Sequence, residues 1–492
     1  MSQRPTAMPN AALYNLRDRL GLSQQELAER LNDIASDFDE TGALDGNHIS
    51  RWERGVVARP RSTHQRMLAR VLDASIEELG FVRPRTPQAR LSVDGGALEV
   101  AAGDGRPILI DSHVQRSQRD WLATRERLNR NRVQLANAAT RLYSAEVVLD
   151  GTGLLARPGW ILDQPVPLSD VVLKLDPDAD GPAMPGFADA TRHVRPLAAT
   201  TTRFPRYTQA IRDLKPPRLF ENRLSYRLVG MDPQQPAPAM NYGLTTYFDM
   251  ADVCEAVAHE AAQFAGDQVG ERLPAGKLAL RRWIGDPFDL DRRPVLPSAN
   301  TLTIRSGDDG ATFVLHRRDA SRVALAGDAL HVMPAGVFQP SSIFPAALEA
   351  DFSLTRNIVR EYSEEFLGNA EHNGDGSPAD YRSQPLADLL AAIDNGSCHI
   401  YYLGTALDAL TLAGEILTVA VFDAPVYDQL FDGMSMQNEE GTVVTIGARR
   451  PQSGIPFVHA TVAELLDDRR LLPGAAGCLS LAWQHRSTIL QR

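Results

Sequence analysis

The run Ser23-Gln24-Gln25-Glu26 fixes a helix start. A serine hydroxyl there accepts from the amide of Glu26, and the glutamate carboxylate returns a bond to the serine amide. Leu27, Ala28 and Leu31 carry the apolar face onward, while Leu13, Leu16 and Leu20 form an earlier stripe that Gly21 ends. After a polar stretch, Asn47-His48-Ile49-Ser50-Arg51-Trp52-Glu53-Arg54-Gly55 reads as a further short helix. Ile49 and Trp52 face inward, and Asn47, His48, Ser50 and Arg51 face outward at its start. Asparagine pairs bidentately with adenine and arginine with guanine, so this helix suits a major groove. Arg59 and Arg61, on either side of Pro60, fall where a phosphate backbone would run.

Residues 22–28 and 49–55 resemble the phage-repressor (Xre/Cro-type) helix-turn-helix transcription regulators, in an actinobacterial variant whose longer segment, 33–45, replaces the tight turn. The resemblance implies DNA binding through Gln24, Asn47, His48, Ser50, Arg51, Arg59 and Arg61. In that family the position of Gln24 supports the recognition helix and touches phosphate, and those of Asn47, His48 and Arg51 reach bases. A module this small implies a homodimer on a double-stranded operator, because one half-site offers few base contacts. A helical module that binds protein is the alternative.

The whole chain has 492 residues, 43% hydrophobic and 23% charged, which predicts several folded domains. No apolar run approaches the roughly 20 residues that span a bilayer, and the start lacks the pattern of a secretory signal. A cytoplasmic protein without a membrane partner is expected. Cys254, Cys398 and Cys478 have no paired spacing, which excludes a disulfide framework and a cysteine zinc site. Residues 1–90 hold 13 Arg against 12 acids and the rest 38 basic against 50 acidic residues, so the net charge of −11 lies downstream. The sequence therefore reads as a helix-turn-helix domain at 1–90, a linker, long helix and mixed α+β region at 91–296, and a further domain at 297–492.

In the middle region, Arg83-Pro84-Arg85-Thr86-Pro87 is a stiff linker and residues 91–100 alternate like a hairpin. Residues 112–142 lack proline and glycine and repeat apolar side chains at Val114, Trp121, Leu128, Leu135 and Leu142. They predict one long helix. Ser117, Thr124, Asn131 and Ala138 leave a coiled-coil seam half built, so a helix laid across a domain is favoured over a zipper. Arg116, Arg119, Arg125, Arg127, Arg130 and Arg132 read as its outer face. A further helix spans 250–264, where His259-Glu260 is followed by Gln263 in place of the second histidine of a zinc-protease motif. The glycine-rich stretches 266–270 and 307–310 read as turns.

Beyond residue 297, a hairpin turns at Gly307-Asp308-Asp309-Gly310 and ends in Arg317-Arg318. A strand, a loop Pro334-Ala335-Gly336-Val337-Phe338 and a helix bearing Arg360-Glu361-Tyr362-Ser363-Glu364-Glu365 follow. The three glutamates lie at spacings of three and four, and a hard divalent cation clamped to a diphosphate would relieve their repulsion. A solvated acidic helix face is the other reading of the same spacing. This order of elements resembles the Nudix fold over residues 297–492, so the resemblance implies a C-terminal α/β/α Nudix-like sandwich. It implies Mg²⁺ held with a bound nucleotide by Glu361, Glu364 and Glu365, and a ligand pocket involving Arg317, Arg318, Gly336, Phe338 and Arg360. In the family the position of Arg360 holds loop and helix together. The sequence departs from the signature by an insertion at 339–350, by Phe352 where an acid is expected beside Asp351 and Glu349, by Tyr362 for an aliphatic residue, and by Gly368 one place late. A displaced loop weakens in-line hydrolysis more than binding. Glu439 and Glu440 are further candidate acids.

Together these features predict a transcription regulator whose C-terminal domain senses a nucleotide-type metabolite of the nucleoside-diphosphate or ADP-ribose class. The alternative is a Mg²⁺-dependent Nudix hydrolase fused to a DNA- or protein-binding module.

Overall fold

The computed structural model describes residues 10–38, 43–57, 60–72, 74, 79–81, 99–101, 107–109, 112–184, 189–217, 220–232, 238–265, 272–318, 329–369, 378–432, 441–444 and 454–491. The chain divides into two compact units, Met1–Ile108 and Leu109–Arg492.

The first unit is helical. Its helices α1 (Ala11–Arg19), α2 (Gln24–Asp33), α3 (Gly46–Glu53) and α4 (Ser62–Val71) close on a core that includes Leu13, Leu27, Leu31, Ile49, Trp52 and Leu68. The capping box at Ser23 and Glu26 forms with both of its bonds, and Asp45 builds a second with His48 at the start of α3. The long segment between α2 and α3 contains a 3₁₀ turn, Ala35–Phe38. Asn32 closes it by giving Nδ2 to the Leu44 carbonyl and accepting the Leu44 amide, both at 2.8 Å. With its amide group satisfied in both directions, Asn32 fixes where α3 begins although the connection is long.

The second unit is a mixed α/β body. Among the described residues its central, curled sheet has nine strands. Strand Pro297–Gly307 runs parallel to Gly414–Asp423 and antiparallel to Gly310–Phe313 and Ala335–Val337. On the far side of Gly414–Asp423, strand Cys398–Asp408 pairs with Ile161–Pro167 and Leu154–Leu155. Residues from both sides of position 296 thus share one sheet. The hairpin expected at 307–310 forms, with Gly307 opposite Gly310.

Side chains alternate across a strand, and helices cover both faces here. On one face the Thr303 hydroxyl lies 2.7 Å from the Tyr362 hydroxyl. On the other, the helix Pro473–Gln484 brings Gly474 against Asn300 and Gly477 against Leu417. The two glycines permit that approach, since a Cβ at Gly477 would stand 2.6 Å from Leu154 Cδ1. Beneath this helix Asn300 Nδ2 donates to Glu415 Oε2 at 2.6 Å. Burial pushes the Glu415 carboxyl from its ordinary 4.5 up to about 8, and repulsion from Asp408 adds to the shift.

Among the described residues between 112 and 284, helices alternate with strands, three of which, Val172–Leu175, Ala239–Thr246 and Leu224–Asp232, form a separate small sheet. The single helix expected over 112–142 is two, α5 (Ser112–Arg130) and α6 (Arg132–Thr140), separated at Asn131, whose Nδ2 bonds the Arg127 carbonyl at 2.8 Å. Trp121, Leu128 and Leu135 are buried as their spacing predicts. Arg125 and Arg132 depart from the predicted outer face, because both turn inward to Glu255 on α8 (Tyr247–Phe264), at 3.4 and 3.0 Å. Every residue of α8 from Ala251 to Ala262 is buried, and its polar ones are keyed to other elements. Asp252 accepts the Thr208 amide at the start of α7 (Tyr207–Leu214), His259 Nδ1 lies 2.9 Å from the Tyr207 hydroxyl, and Glu260 accepts the amides of Leu280 and Arg281. Burial and the nearby Arg125 push the His259 pKa down to about 3, so the ring is neutral. Among the described residues no helix is long and apolar enough to cross a membrane.

Candidate functional site

In the first unit the site is built around a buried carboxylate. Glu53, at the end of α3, accepts Arg17 Nε at 2.6 Å and Gln24 Nε2 at 2.6 Å, and Arg17 also bonds the Leu22 carbonyl. One acid therefore ties α1, the start of α2 and the end of α3. The bond to Glu53 raises the Arg17 pKa. Gln24 is half-buried and turned to this acid. With the end of α3 pinned, its outer face is open: Asn47, His48 and Arg51 are exposed and Ser50 is half-buried. His48 is held by the capping residue, its Nδ1 lying 2.7 Å from Asp45 Oδ1. Gln25 accepts the Gly46 amide at 3.0 Å, which steadies the same turn. Arg61 is exposed at the start of α4, and Arg59 lies outside the described residues.

In the second unit the predicted acidic helix runs Leu354–Glu361 and then widens into a π turn, Tyr362–Phe366. Such turns carry i→i+5 bonds and recur at functional sites. Tyr362 anchors it in the core beneath the sheet, against Phe366, Phe422 and Phe431. The turn sets Glu361 and Glu365 against strand Ala335–Val337. Glu365 is buried and accepts the Ala335 amide at 3.3 Å. Glu361 packs on Gly336 so closely that a Cβ there would stand 2.0 Å from its Cδ. Glu361 and Glu364 are half-buried. Among the described residues no three His, Cys, Asp or Glu side chains form a group suited to hold a metal ion. Glu361 ends the helix and Glu364 and Glu365 lie in the π turn, and the three form no chelating set among the described residues.

Arg360 is buried, and its guanidinium bonds Tyr381 Oη and the Gln339 carbonyl, both at 2.6 Å, and Asn357 Oδ1 at 3.2 Å. Asp351 lies 3.5 Å from it and accepts Tyr381 Oη and Ser341 Oγ, each at 2.5 Å, and the Ser341 amide at 2.7 Å. Loop and helix are joined here, and the expectation that Arg360 contacts a ligand is corrected. Phe338, expected to line a ligand pocket, is wholly buried among Tyr226, Tyr242 and Phe352. Arg317 is exposed on strand Leu315–Arg318, which belongs to a different sheet from Gly336, and the side chain of Arg318 lies outside the described residues. Glu439, Glu440 and residues 266–270 also lie outside them.

Sequence reading missed Glu53, Arg17 and Tyr381. Glu53 sits among charged neighbours and carries no periodic signal, and Tyr381 is remote from the helix it supports. Asp351 had a signal, since it stands one place before the position where the signature calls for an acid.

Among known families, a model described as the SP15 N-terminal domain matches residues 13–79. The matched span begins at Leu13 and ends at Leu79, both fully buried in the core of the first unit. A search of curated proteins finds no match.

Proposed function

We propose that this protein is a DNA-binding transcription regulator whose second unit senses a nucleotide-type metabolite. The observation that carries the reading is the outer face of α3, which offers Asn47, His48 and Arg51 to solvent while the end of the helix is pinned through Glu53. A rigid short helix displaying base-pairing side chains is what major-groove readout requires. The sensing half is supported by helices on both faces of a mixed sheet, by the Arg360 and Asp351 latch that ties loop to helix, and by glutamates lodged against a glycine strand. A Nudix-like sandwich would use the same parts. A ligand preferring one arrangement of this region shifts the population of DNA-binding states by its differential affinity.

The test has two arms on the full chain. Selection from random duplexes should enrich one sequence, and Arg51→Ala should weaken that complex by about 1–3 kcal/mol if it reads a guanine. Thermal-shift screening against nucleoside diphosphates and ADP-ribose, with and without Mg²⁺, should raise the melting temperature for a native-state ligand. No enrichment removes the operator reading. Release of a monophosphate product, lost in Glu364→Gln, turns the sensor into a hydrolase.

A further inference from the structure

The arginines of α5, with Arg132 at the start of α6, divide into two sets. Arg125 and Arg132 are buried on Glu255, whereas Arg116, Arg119 and Arg130 are exposed and Arg127 is half-exposed. At 100° per residue the latter four fall within a sector of roughly 80° and extend about 21 Å along the axis. Among the described residues, the guanidinium groups of Arg116, Arg119 and Arg127 enter no hydrogen bond or ion pair. Arg130 meets only Glu126, at 3.6 Å, with both side chains mostly exposed. A pair of that kind contributes little. Several surface arginines elsewhere in the second unit are answered by acids at shorter range, as in Arg157 with Asp286, Arg305 with Asp428 and Arg470 with Asp468. Beyond residue 90 acids outnumber bases 50 to 38, so a row of unanswered cations runs against the local excess of carboxylates.

We propose that the exposed face of α5 is a second contact surface for double-stranded DNA, read through phosphates and blind to base sequence. The inference rests on the DNA-binding reading above and extends it to the second unit. Guanidinium groups recognise phosphate oxygens through paired donors, and a straight row of them matches a polyanion with one charge per about 1.7 Å of duplex axis. The inward turn of Arg125 and Arg132 leaves the row fixed on a rigid support, because their ion pairs with Glu255 and the burial of Trp121 and Leu128 hold the other face of the helix.

The experiment measures duplex affinity of the full chain against salt concentration, on the selected sequence and on random DNA. In Arg116→Gln/Arg119→Gln/Arg130→Gln the slope of log K against log salt should fall by about 2–3, near 0.9 for each phosphate that is no longer neutralised. Affinity should drop equally on both duplexes, and Arg51→Ala should instead relax sequence preference while changing the slope by about one or less. The opposite variant, Asp120→Asn/Glu126→Gln, removes the acids bordering the row and should steepen the slope. Unchanged slopes in both variants, with wild type binding its selected sequence, overturn the proposal and leave the regulator reading intact. A wild type that binds no duplex overturns both.

Discussion

Glu415 shows how a single carboxyl imposes a pH dependence on folding. Its folded pKa of about 8 stands above the ordinary 4.5, so between those values the native chain holds a proton that the unfolded chain has lost. Stability therefore falls as pH rises through that window and levels off above it. Protonated Glu415 also has a hydrogen to give, and Asn300 Oδ1, buried without a donor among the described residues, accepts it once the amide is turned over. Urea midpoints measured from pH 5 to 9 should decline for wild type and flatten in Glu415→Gln. Equal slopes in the two proteins exclude Glu415 as the source. Nothing in the sequence marks this residue, because the strand around it reads as apolar and its burial depends on Gly474 approaching from the far end of the chain. The exposed Asn47, His48 and Arg51 were legible, since helical spacing from Ile49 and Trp52 fixes their direction. Phe338 was misread for a complementary reason: a glycine loop suggests a pocket, and only the positions of Tyr226 and Tyr242 reveal a core.

At the level of elements, the insertion 339–350 is held by a compact polar knot of Asp351, Arg360, Tyr381 and Ser341. Tyr381→Phe removes the donor to Asp351 and an acceptor from Arg360, leaving two buried charged groups short of a partner. A loss of about 1–3 kcal/mol is expected, read as a lower unfolding midpoint with faster amide exchange over 339–351. Retained stability and protection would mean that the knot does not hold the loop. The acidic helix was readable from its R-E-x-x-E-E spacing, but its widening into a π turn was not, because that depends on Tyr362 reaching Thr303 below it. In the same way the heptad spacing located the buried positions of α5, while the inward turn of Arg125 and Arg132 depends on a carboxylate more than a hundred residues away.

For the whole molecule, the order of predicted elements suggested a boundary near 296, yet the central sheet takes strands from both sides of it. Strand Ile161–Pro167 pairs with Cys398–Asp408, and Arg281 and Arg293 bond the carbonyls of Leu410 and Leu412. Separate expression of residues 109–296 and 297–492 should give two pieces without cooperative unfolding, whereas 109–492 should melt in one transition by calorimetry. Two sharply melting halves would contradict a shared sheet. The same pairing has a temporal side. Tyr401 meets Pro167 across roughly 230 residues of intervening chain, a separation that places this pairing late in assembly. During translation the amino-terminal helices complete their core from near neighbours while the partners of Ile161–Pro167 are still unmade. A ribosome paused midway would thus carry a finished head on an unfinished torso, and chaperone demand should peak in the interval before Cys398–Asp408 emerges.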